Sequence, residues 1–163
     1  MRKQEETCCF TGHRHIEADH MRYLPSLVEQ EILRLIESGV RVFRNGGAIG
    51  FDTLAALSVI AIRERHPEIE LEMVLPCRNQ DLKWTPRQRE EYAYILAHAD
   101  RIRYISEHYT HFCMLERDRR MVDGSDVCVA YCLRTAGGTG YTCQYALKHG
   151  VEIHNLARQL PRR

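Results

Sequence analysis

The sequence predicts an α/β fold in which a mainly parallel sheet of about six strands lies between two layers of helices. Apolar strand-like runs alternate six times with stretches of helical periodicity, and no tight hairpin signal joins two successive runs. The strand-like runs also lack a clean alternation of apolar and polar residues, which is typical of strands buried on both faces. Together these patterns indicate a three-layer, doubly wound arrangement of the Rossmann-like class.

The first strand is predicted at 7–11, an apolar run that ends at Gly12. An amphipathic helix follows at 21–38, because its apolar residues recur at intervals of three and four and Gly39 stands where a C-cap is favoured. A second short strand is predicted at 40–44. These elements make the first strand–helix–strand unit of a parallel sheet.

The rest of the chain repeats this alternation. We predict helices at 52–65, 85–99, 111–123 and 139–149, and strands at 70–75, 101–105, 125–132 and 151–156. The helix at 85–99 has the plainest start signal, because Thr85 is a favourable N-cap, Pro86 suits the first helical position and Gln88 completes a capping box.

Composition and charge limit the functions to consider. The 163 residues fit one domain, 1–163, since a chain of this length buries roughly two-thirds of its unfolded surface. Apolar residues make up 44% and charged residues 28%, which is typical of a globular protein and not of a disordered one. The formal net charge of +1 supplies no global field that attracts nucleic acid, so we do not expect nucleic acid as a partner.

Two features of the sequence indicate the compartment. The charged residues at 1–6 precede no apolar signal segment, and no apolar run is long enough to span a bilayer. The seven cysteines include no Cys-x-x-Cys pair, and an odd number of this kind is typical of free thiols in a reducing compartment. We therefore expect a cytoplasmic protein without a membrane partner, and the sequence leaves homo-oligomer formation open.

Two glycine-rich loops are the strongest functional signal. The loops at 46–52 and 134–142 each stand between an apolar run and a helix, so both should lie at the carboxyl edge of the sheet, where ligands bind. Glycine lets the backbone approach a ligand closely, and a helix N-terminus directs N–H groups towards an anion. We predict that both loops hold phosphate; the alternative is that the glycines only make tight turns.

Known phosphate-binding motifs are missing from both loops. The first strand is not followed by Gly-x-Gly-x-x-Gly, and neither loop ends in Gly-Lys-Ser or Gly-Lys-Thr. The dinucleotide fingerprint and the NTP-hydrolysing P-loop are therefore excluded as motifs.

The predicted ligand site combines the two loops with nearby polar residues. Backbone N–H groups of 46–50 and 137–139 would hold phosphates, arginines would neutralise charge, and Asp52 would cap a helix or accept a ribose hydroxyl. The predicted ligand-binding residues are Gly12, Arg14, Gly46, Gly47, Gly50, Asp52, Arg117, Gly137, Gly138, Thr139 and Thr142. No catalytic residue is assigned.

Several histidines and the single tryptophan suit either a ligand or the packing of the fold. His13, His15 and His20 are near Asp19, but their spacing matches no established ligand set, so we predict no metal site. Whether His13 and His15 contact a ligand or only support the fold is open. Trp84 suits both stacking on a base and packing beside a helix start.

The segments 11–14, 46–52, 117–126 and 137–139, which occur in this order over nearly the whole chain, resemble the YpsA-like family of the SLOG superfamily. That superfamily also includes the DNA-processing protein DprA and the lonely-guy cytokinin-activating phosphoribohydrolases. The resemblance implies a Rossmann-like fold that binds or processes nucleotides and nucleotide-derived ligands. YpsA-like proteins themselves have no settled activity.

The comparison with lonely-guy enzymes identifies one departure. Arg117 and Met121 match the Arg-x-x-x-Met helix of those enzymes, and 137–138 match the start of their Gly-Gly-x-Gly-Thr loop. Cys143 and Gln144 stand where that family has paired glutamates, and neither side chain supplies a carboxylate. Hydrolysis of an N-glycosidic bond by that mechanism is therefore in doubt.

The comparison with DprA identifies another departure. Arg117, Arg119, Ser125 and Asp126 match its Arg-Asn-Arg helix and the Ser-Asp that follows, but Asp118 replaces the asparagine. This change adds negative charge where single-stranded DNA would need none.

We therefore expect a sensor or regulatory module that binds a nucleoside monophosphate, ADP-ribose or a nucleotide sugar. The first alternative is a phosphoribohydrolase-like enzyme that cleaves the N-glycosidic bond of a nucleoside monophosphate. The second is DprA-like binding of single-stranded nucleic acid, which the near-neutral charge disfavours. No further cofactor is implied, and the ligand itself is not identified.

Overall fold

The chain is described from residue 6 to residue 162 in a computed structural model, and strands and helices alternate in the predicted order. The strands are β1 (Glu6–Gly12), β2 (Val40–Asn45), β3 (Glu70–Cys77), β4 (Arg101–Ser106), β5 (Val127–Tyr131) and β6 (Glu152–Asn155). The helices are α1 (Ala18–Met21), α2 (Leu24–Ser38), α3 (Phe51–Arg63), α4 (Pro86–His98), α5 (Cys113–Val122) and α6 (Gly137–Lys148), and a 3₁₀ turn occupies Leu156–Gln159. Residues 1–5 and residue 163 lie outside the described part. The expectation of no signal segment, which was drawn from the charged residues at 1–6, therefore falls mostly on residues that the structure does not describe.

The six strands form one sheet in the order β4-β3-β2-β1-β5-β6, and every neighbouring pair is parallel. The chain builds the sheet outward from β1 to β4 and then crosses over to add β5 on the other side of β1. The strand order therefore reverses between β1 and β5, and ligands of doubly wound folds bind outside the carboxyl ends of such a pair. This topology confirms the predicted fold class.

Helices cover both faces of the sheet. The helices α2, α3 and α4 pack side by side on one face, and α5 packs against α6 on the other. Consecutive residues of β1 serve opposite cores: Cys8 and Phe10 join the larger cluster under α2–α4, whereas Cys9 joins the smaller cluster under α5 and α6. This two-sided burial explains why the strand sequences show no polar alternation.

Most differences from the predicted elements lie at their ends. Helix α6 begins at Gly137 and not at 139, so the paired glycines form its first turn. A strand was predicted at 125–132, but β5 covers only Val127–Tyr131. Ser125 belongs to the turn after α5, because its Oγ donates a hydrogen bond to the Met121 carbonyl at 2.6 Å. Helix α1 was not predicted, since four residues are too few to show a helical period.

The predicted capping box of α4 is confirmed. Thr85 Oγ1 accepts from the Gln88 N–H at 3.2 Å, and Gln88 Oε1 accepts from the Thr85 N–H at 3.0 Å. The longest helix within residues 6–162 has 15 residues, and none of the helices in this range combines the length and the apolar character needed to traverse a bilayer.

Candidate functional site

A cavity of about 520 Å³ opens at the reversal point of the sheet, between the loop after β1, the start of α3, helix α5 and the N-terminus of α6. The predicted residues that line it are Gly12, Arg14, Asp52, Arg117, Gly137, Gly138, Thr139 and Thr142. It is also lined by Thr11, His13, His15, Met114, Leu115, Asp118, Met121, Arg134 and Ala136. The fold thus gathers residues from four separate segments at one point.

The N-terminus of α6 is open towards this cavity. Ala136 occupies the N-cap in extended conformation (φ −80°, ψ 156°), and no side chain among residues 6–162 accepts a hydrogen bond from this helix terminus. A Cβ built on Gly137 or Gly138 would meet no heavy atom from elsewhere in the described chain within 4 Å. The first N–H groups of the helix therefore keep their hydrogen-bonding capacity, and there is room for a ligand beside them.

Two threonines of α6 differ in what they do. Thr139 and Thr142 are both buried and both line the cavity. The Thr142 hydroxyl donates to the Gly138 carbonyl at 2.9 Å within the first turn of the helix. Thr142 therefore braces the glycine turn, and Thr139 is the more available of the two hydroxyls.

The glycine loop after β2 is placed differently. Gly46, Gly47 and Gly50 do not line the cavity. The N–H of Gly47 donates to Asn45 Oδ1 at 2.8 Å. The N–H of Ala48 donates to Asp52 Oδ2 at 3.2 Å. Two N–H groups that were predicted to hold phosphate are therefore already engaged by side chains of the protein itself.

Gly50 explains why this loop is rich in glycine. Its backbone has φ 78° and ψ −121°, and a Cβ there would lie 2.1 Å from the carbonyl oxygen of Arg14. The next N–H, that of Phe51, donates to the His13 carbonyl at 3.2 Å. The loop after β2 thus packs against the loop after β1, which is itself a wall of the cavity.

Arg117 is fixed in the wall of the cavity. It is 5% exposed; its Nε donates to Asp118 Oδ1 at 2.8 Å, and its Nη1 donates to the Gly46 carbonyl at 2.6 Å. Gly46 therefore contributes to the cavity indirectly, because its carbonyl positions the guanidinium. A buried guanidinium held by two hydrogen bonds is a preorganised positive charge.

Two carboxyl groups face the same cavity. Burial raises the pKa of Asp52 to about 6, against the opposing effect of the nearby Arg117 guanidinium. Its Oδ1 is buried and accepts no hydrogen bond from the part of the chain that the structure describes. Burial likewise raises the pKa of Asp118, again opposed by Arg117. Asp118 was not predicted as a site residue, although its position next to Arg117 on α5 was a usable signal.

The histidines near the site have separate roles. His13 Nε2 accepts the N–H of Leu133 at 2.8 Å, and burial together with Arg134 lowers the pKa of His13. His13 therefore joins the loops after β1 and β5 as a neutral imidazole, whereas His15 is exposed on the cavity wall. His20 Nδ1 lies 2.7 Å from the Tyr131 hydroxyl. Within residues 6–162 no group of three or more His, Cys, Asp or Glu side chains is arranged to hold a metal ion.

The remaining residues that match the DprA motif lie outside the cavity. Arg119 is exposed, and its Nε donates to the Tyr141 hydroxyl at 2.7 Å. Asp126 Oδ2 accepts from the Thr7 N–H at 2.8 Å and so tightens the start of β5 against β1. Of the motif matches on α5, only Arg117 and Met121 line the site.

Solved structures with a similar fold include two DNA-processing proteins. DprA from Helicobacter pylori, whose mode of binding single-stranded DNA was described with its structure, superimposes with a TM-score of 0.67 at 19% identity, over 97% of this chain and 66% of that one. DprA from Streptococcus pneumoniae superimposes with a TM-score of 0.64 at 15% identity, over 91% of this chain and 49% of that one. At these identities the similarity concerns the fold alone.

Sequence comparison identifies closer relatives. A UPF0398 protein of Halalkalibacterium halodurans is 38% identical over 78 residues, which amount to 48% of this chain and 41% of that protein. The matched region is thus less than half the length of that relative. The family model for YpsA, described as the YspA SLOG family, matches residues 8–157. Because that match spans nearly the whole chain, the protein belongs to the YpsA family of the SLOG superfamily.

Proposed function

We propose that this protein binds a nucleotide or a nucleotide-derived ligand, of the nucleoside monophosphate, ADP-ribose or nucleotide-sugar class, and acts as a sensor or regulatory module. The observation that carries the proposal is the open N-terminus of α6 beside the buried guanidinium of Arg117 in one cavity. The volume of about 520 Å³ lies within the roughly 300–1,000 Å³ usual for small-molecule sites.

The phosphate is the part of the ligand that this cavity suits best. N–H groups at 137–139 supply donors, and Arg14, Arg117 and Arg134 supply positive charge along the walls. Two acids, at 52 and 118, oppose these charges, but burial raises the pKa of both. The cavity therefore favours an anion, and more so when the carboxyl groups are protonated.

The sugar is suited to the wall that Asp52 occupies. A buried carboxylate oxygen without a hydrogen bond is costly, and a ribose hydroxyl that donates to Asp52 Oδ1 would remove that cost. This role is one of the two predicted for Asp52 from the sequence. The other, capping of α3, is partly met by its acceptance of the Ala48 N–H.

A thermal-shift screen with AMP, ADP-ribose and UDP-glucose tests the proposal, because a ligand that binds only the folded state raises its stability. The variants Gly138→Asp and Gly138→Asn have side chains of matched shape, and both fit the open space at this residue. We expect a rise in Tm for the wild type and the asparagine variant, and none for the aspartate variant, because its carboxylate repels phosphate. The proposal is wrong if no probe raises the wild-type Tm, or if the aspartate variant responds like the wild type.

Hydrolysis of an N-glycosidic bond is a second candidate, and Asp52 is the observation that favours it. The carboxylates missing at 143–144 have a counterpart in a buried cavity carboxyl whose pKa is raised to about 6, a value suited to general acid–base work near neutral pH. In this reaction water adds to the ribosyl carbon, and the base leaves with a proton.

A chromatographic assay for free base, run on a panel of nucleoside monophosphates, tests this second candidate. We expect release by the wild type and its loss in Asp52→Asn, which keeps the shape of the side chain and cannot exchange the proton. Absence of free base over hours with every substrate eliminates the hydrolase and leaves the binding function standing.

A further inference from the structure

A second cavity, of about 510 Å³, opens beside the first. The two cavities share Arg14 and Met114 in their walls and are therefore contiguous. The second one lies between the loop after β3 and the loop after β4, and its other lining residues are Cys77, Asn79, Gln80, Leu82, Lys83, Trp84 and Tyr109. The carboxyl edge of the sheet thus offers two adjoining spaces with a common arginine.

The walls of the second cavity suit a planar ring. Trp84 packs edge-on against Tyr92, with ring centroids 5.0 Å apart and an interplanar angle of 73°, and this contact holds the indole in place. Tyr109 and Leu82 are large apolar side chains that are 67% and 63% exposed at the rim. Aromatic and apolar side chains of this kind stack on nucleobases, and their exposure in the free protein marks a surface suited to a ligand.

The same cavity contains two side-chain amides, those of Asn79 and Gln80. Gln80 Nε2 donates to the Gly47 carbonyl at 3.3 Å and to the Tyr92 hydroxyl at 3.0 Å, which orients the amide. Its Oε1 has no hydrogen-bond partner in the described chain and remains an acceptor. Side-chain amides pair with the donor and acceptor edges of bases, and Gln80 and Asn79 provide two of them.

We propose that this second cavity is a base-binding subsite, so that the ligand is a nucleoside diphosphate joined to a sugar. The base lies against Trp84, the two phosphates lie between Arg14 and the N-terminus of α6, and the distal sugar lies near Asp52. This inference rests on the proposed function, which assigns the phosphate position. A mononucleotide fills the base and phosphate positions and leaves the sugar position near Asp52 empty, whereas a nucleotide sugar fills all three.

Trp84 is the only tryptophan of the chain, so the intrinsic tryptophan emission reports the second cavity alone. The wild type is titrated with ribose 5-phosphate, AMP, ADP-ribose and UDP-glucose, and dissociation constants are measured by calorimetry alongside the emission. We expect ribose 5-phosphate to bind without a change in emission. We expect ADP-ribose or UDP-glucose to change the emission and to bind at least tenfold more tightly than both AMP and ribose 5-phosphate.

Two substitutions at Trp84 separate stacking from structure. Base–aromatic stacking is worth roughly 1–3 kcal/mol, so Trp84→Leu should weaken the binding of the nucleotide sugar by about fivefold or more. Trp84→Phe retains a stacking ring and should bind within about threefold of the wild type. Both variants should bind ribose 5-phosphate as the wild type does, which shows that the first cavity is intact.

Four outcomes overturn the inference, and they are distinct from failure of the proposed function. If every probe binds without changing the emission, or Trp84→Leu binds the nucleotide sugar as tightly as Trp84→Phe, the second cavity holds no base. If AMP matches the nucleotide sugar, the distal sugar is not recognised. If a short single-stranded oligodeoxyadenylate binds more tightly than all the small probes, the two cavities hold successive nucleotides. If no probe binds at all, the proposed function itself fails.

Discussion

The two glycine-rich loops are similar in sequence, but Gly50 of the first loop and the Gly137–Gly138 pair of the second have different surroundings in the folded protein. In the loop at 46–50, backbone N–H groups donate to the protein's own side chains, and a Cβ on Gly50 would lie 2.1 Å from the Arg14 carbonyl oxygen. At Gly137 and Gly138 a Cβ would meet no heavy atom from elsewhere in the described chain within 4 Å. Gly50 serves close internal packing, whereas Gly138 leaves space for a ligand. Gly140, further along the second loop, is again closely packed, since a Cβ there would lie 2.1 Å from the Thr135 carbonyl oxygen.

This difference changes how the site is understood. The sequence predicts two phosphate loops; we propose that phosphate binds at the α6 terminus, because the Gly47 and Ala48 N–H groups of the first loop donate within the protein. The first loop contributes indirectly: the Gly46 carbonyl accepts a hydrogen bond from the Arg117 guanidinium, and Asp52 lies in the first turn of the helix that follows the loop. One loop is therefore the support of the site, and the other is the candidate contact with the ligand.

The largest expected effect is the loss of stability in Gly50→Ala. The new Cβ would overlap the Arg14 carbonyl, and the backbone at φ 78° disfavours any L side chain. Strain and overpacking of this kind cost about 3 kcal/mol or more of the free energy of unfolding, which is measured by urea denaturation. Gly138→Ala is the matched control and should change this free energy by less than about 1 kcal/mol. Equal losses in the two variants would contradict the distinction between the loops.

The next effect is a pH dependence that arises at Asp52. Burial raises the pKa of Asp52 from the ordinary value for an aspartate to about 6 in the folded state, so the native protein binds this proton more tightly than the unfolded chain does. The resulting stabilisation, relative to Asp52→Asn, is fully present below about pH 4 and is lost as the pH rises through about 6. A carboxyl pKa raised to about 6 corresponds to at most about 3 kcal/mol of stabilisation.

This dependence is measured as the difference in the free energy of unfolding between the wild type and Asp52→Asn at intervals from pH 4 to pH 7.5. The difference should fall with rising pH. A flat difference would mean that the carboxyl is not buried as described, and Asp52 would then lose its role in the cavity wall.

The smallest expected effect comes from capping α6. Ala136 lies at the N-cap in an extended conformation, and Ala136→Ser introduces a hydroxyl that accepts a first-turn N–H. We expect the free protein to gain about 1 kcal/mol of stability and the affinity for phosphate ligands to fall, because one N–H becomes occupied. Ala136→Val, which adds bulk without an acceptor, is the control. An unchanged affinity in Ala136→Ser would show that these N–H groups do not contact the ligand.

The fold was predictable because each of its signals is local. Helical periodicity, the Thr85 capping box and the two-sided apolar strands depend on neighbouring residues, and the structure follows them. Helix α1 at Ala18–Met21 was not predicted, because it is too short to show a helical period. The family resemblance was also confirmed, since the family model matches residues 8–157.

The local sequence does not predict which glycine packs against the protein and which faces the cavity. Whether a glycine turn faces a ligand depends on what packs against it, and the neighbours of Gly50 come from the loop after β1. Asp118 was missed although it adjoins the predicted Arg117, because the position of its carboxyl in the cavity wall depends on how α5 packs. The second cavity was not predicted either, because it is formed by segments after β3 and β4 that are distant in the sequence.

We propose that phosphate contacts the N-terminus of α6 and not the loop after β2. Backbone amide NMR tests it most directly, by titration of ¹⁵N-labelled protein with ADP-ribose. We predict that the largest shifts occur at the amides of 137–139 and that the amides of Gly47 and Ala48 move little, because they remain bonded to Asn45 and Asp52. Largest shifts at Gly47 and Ala48, with none at 137–139, would contradict the account.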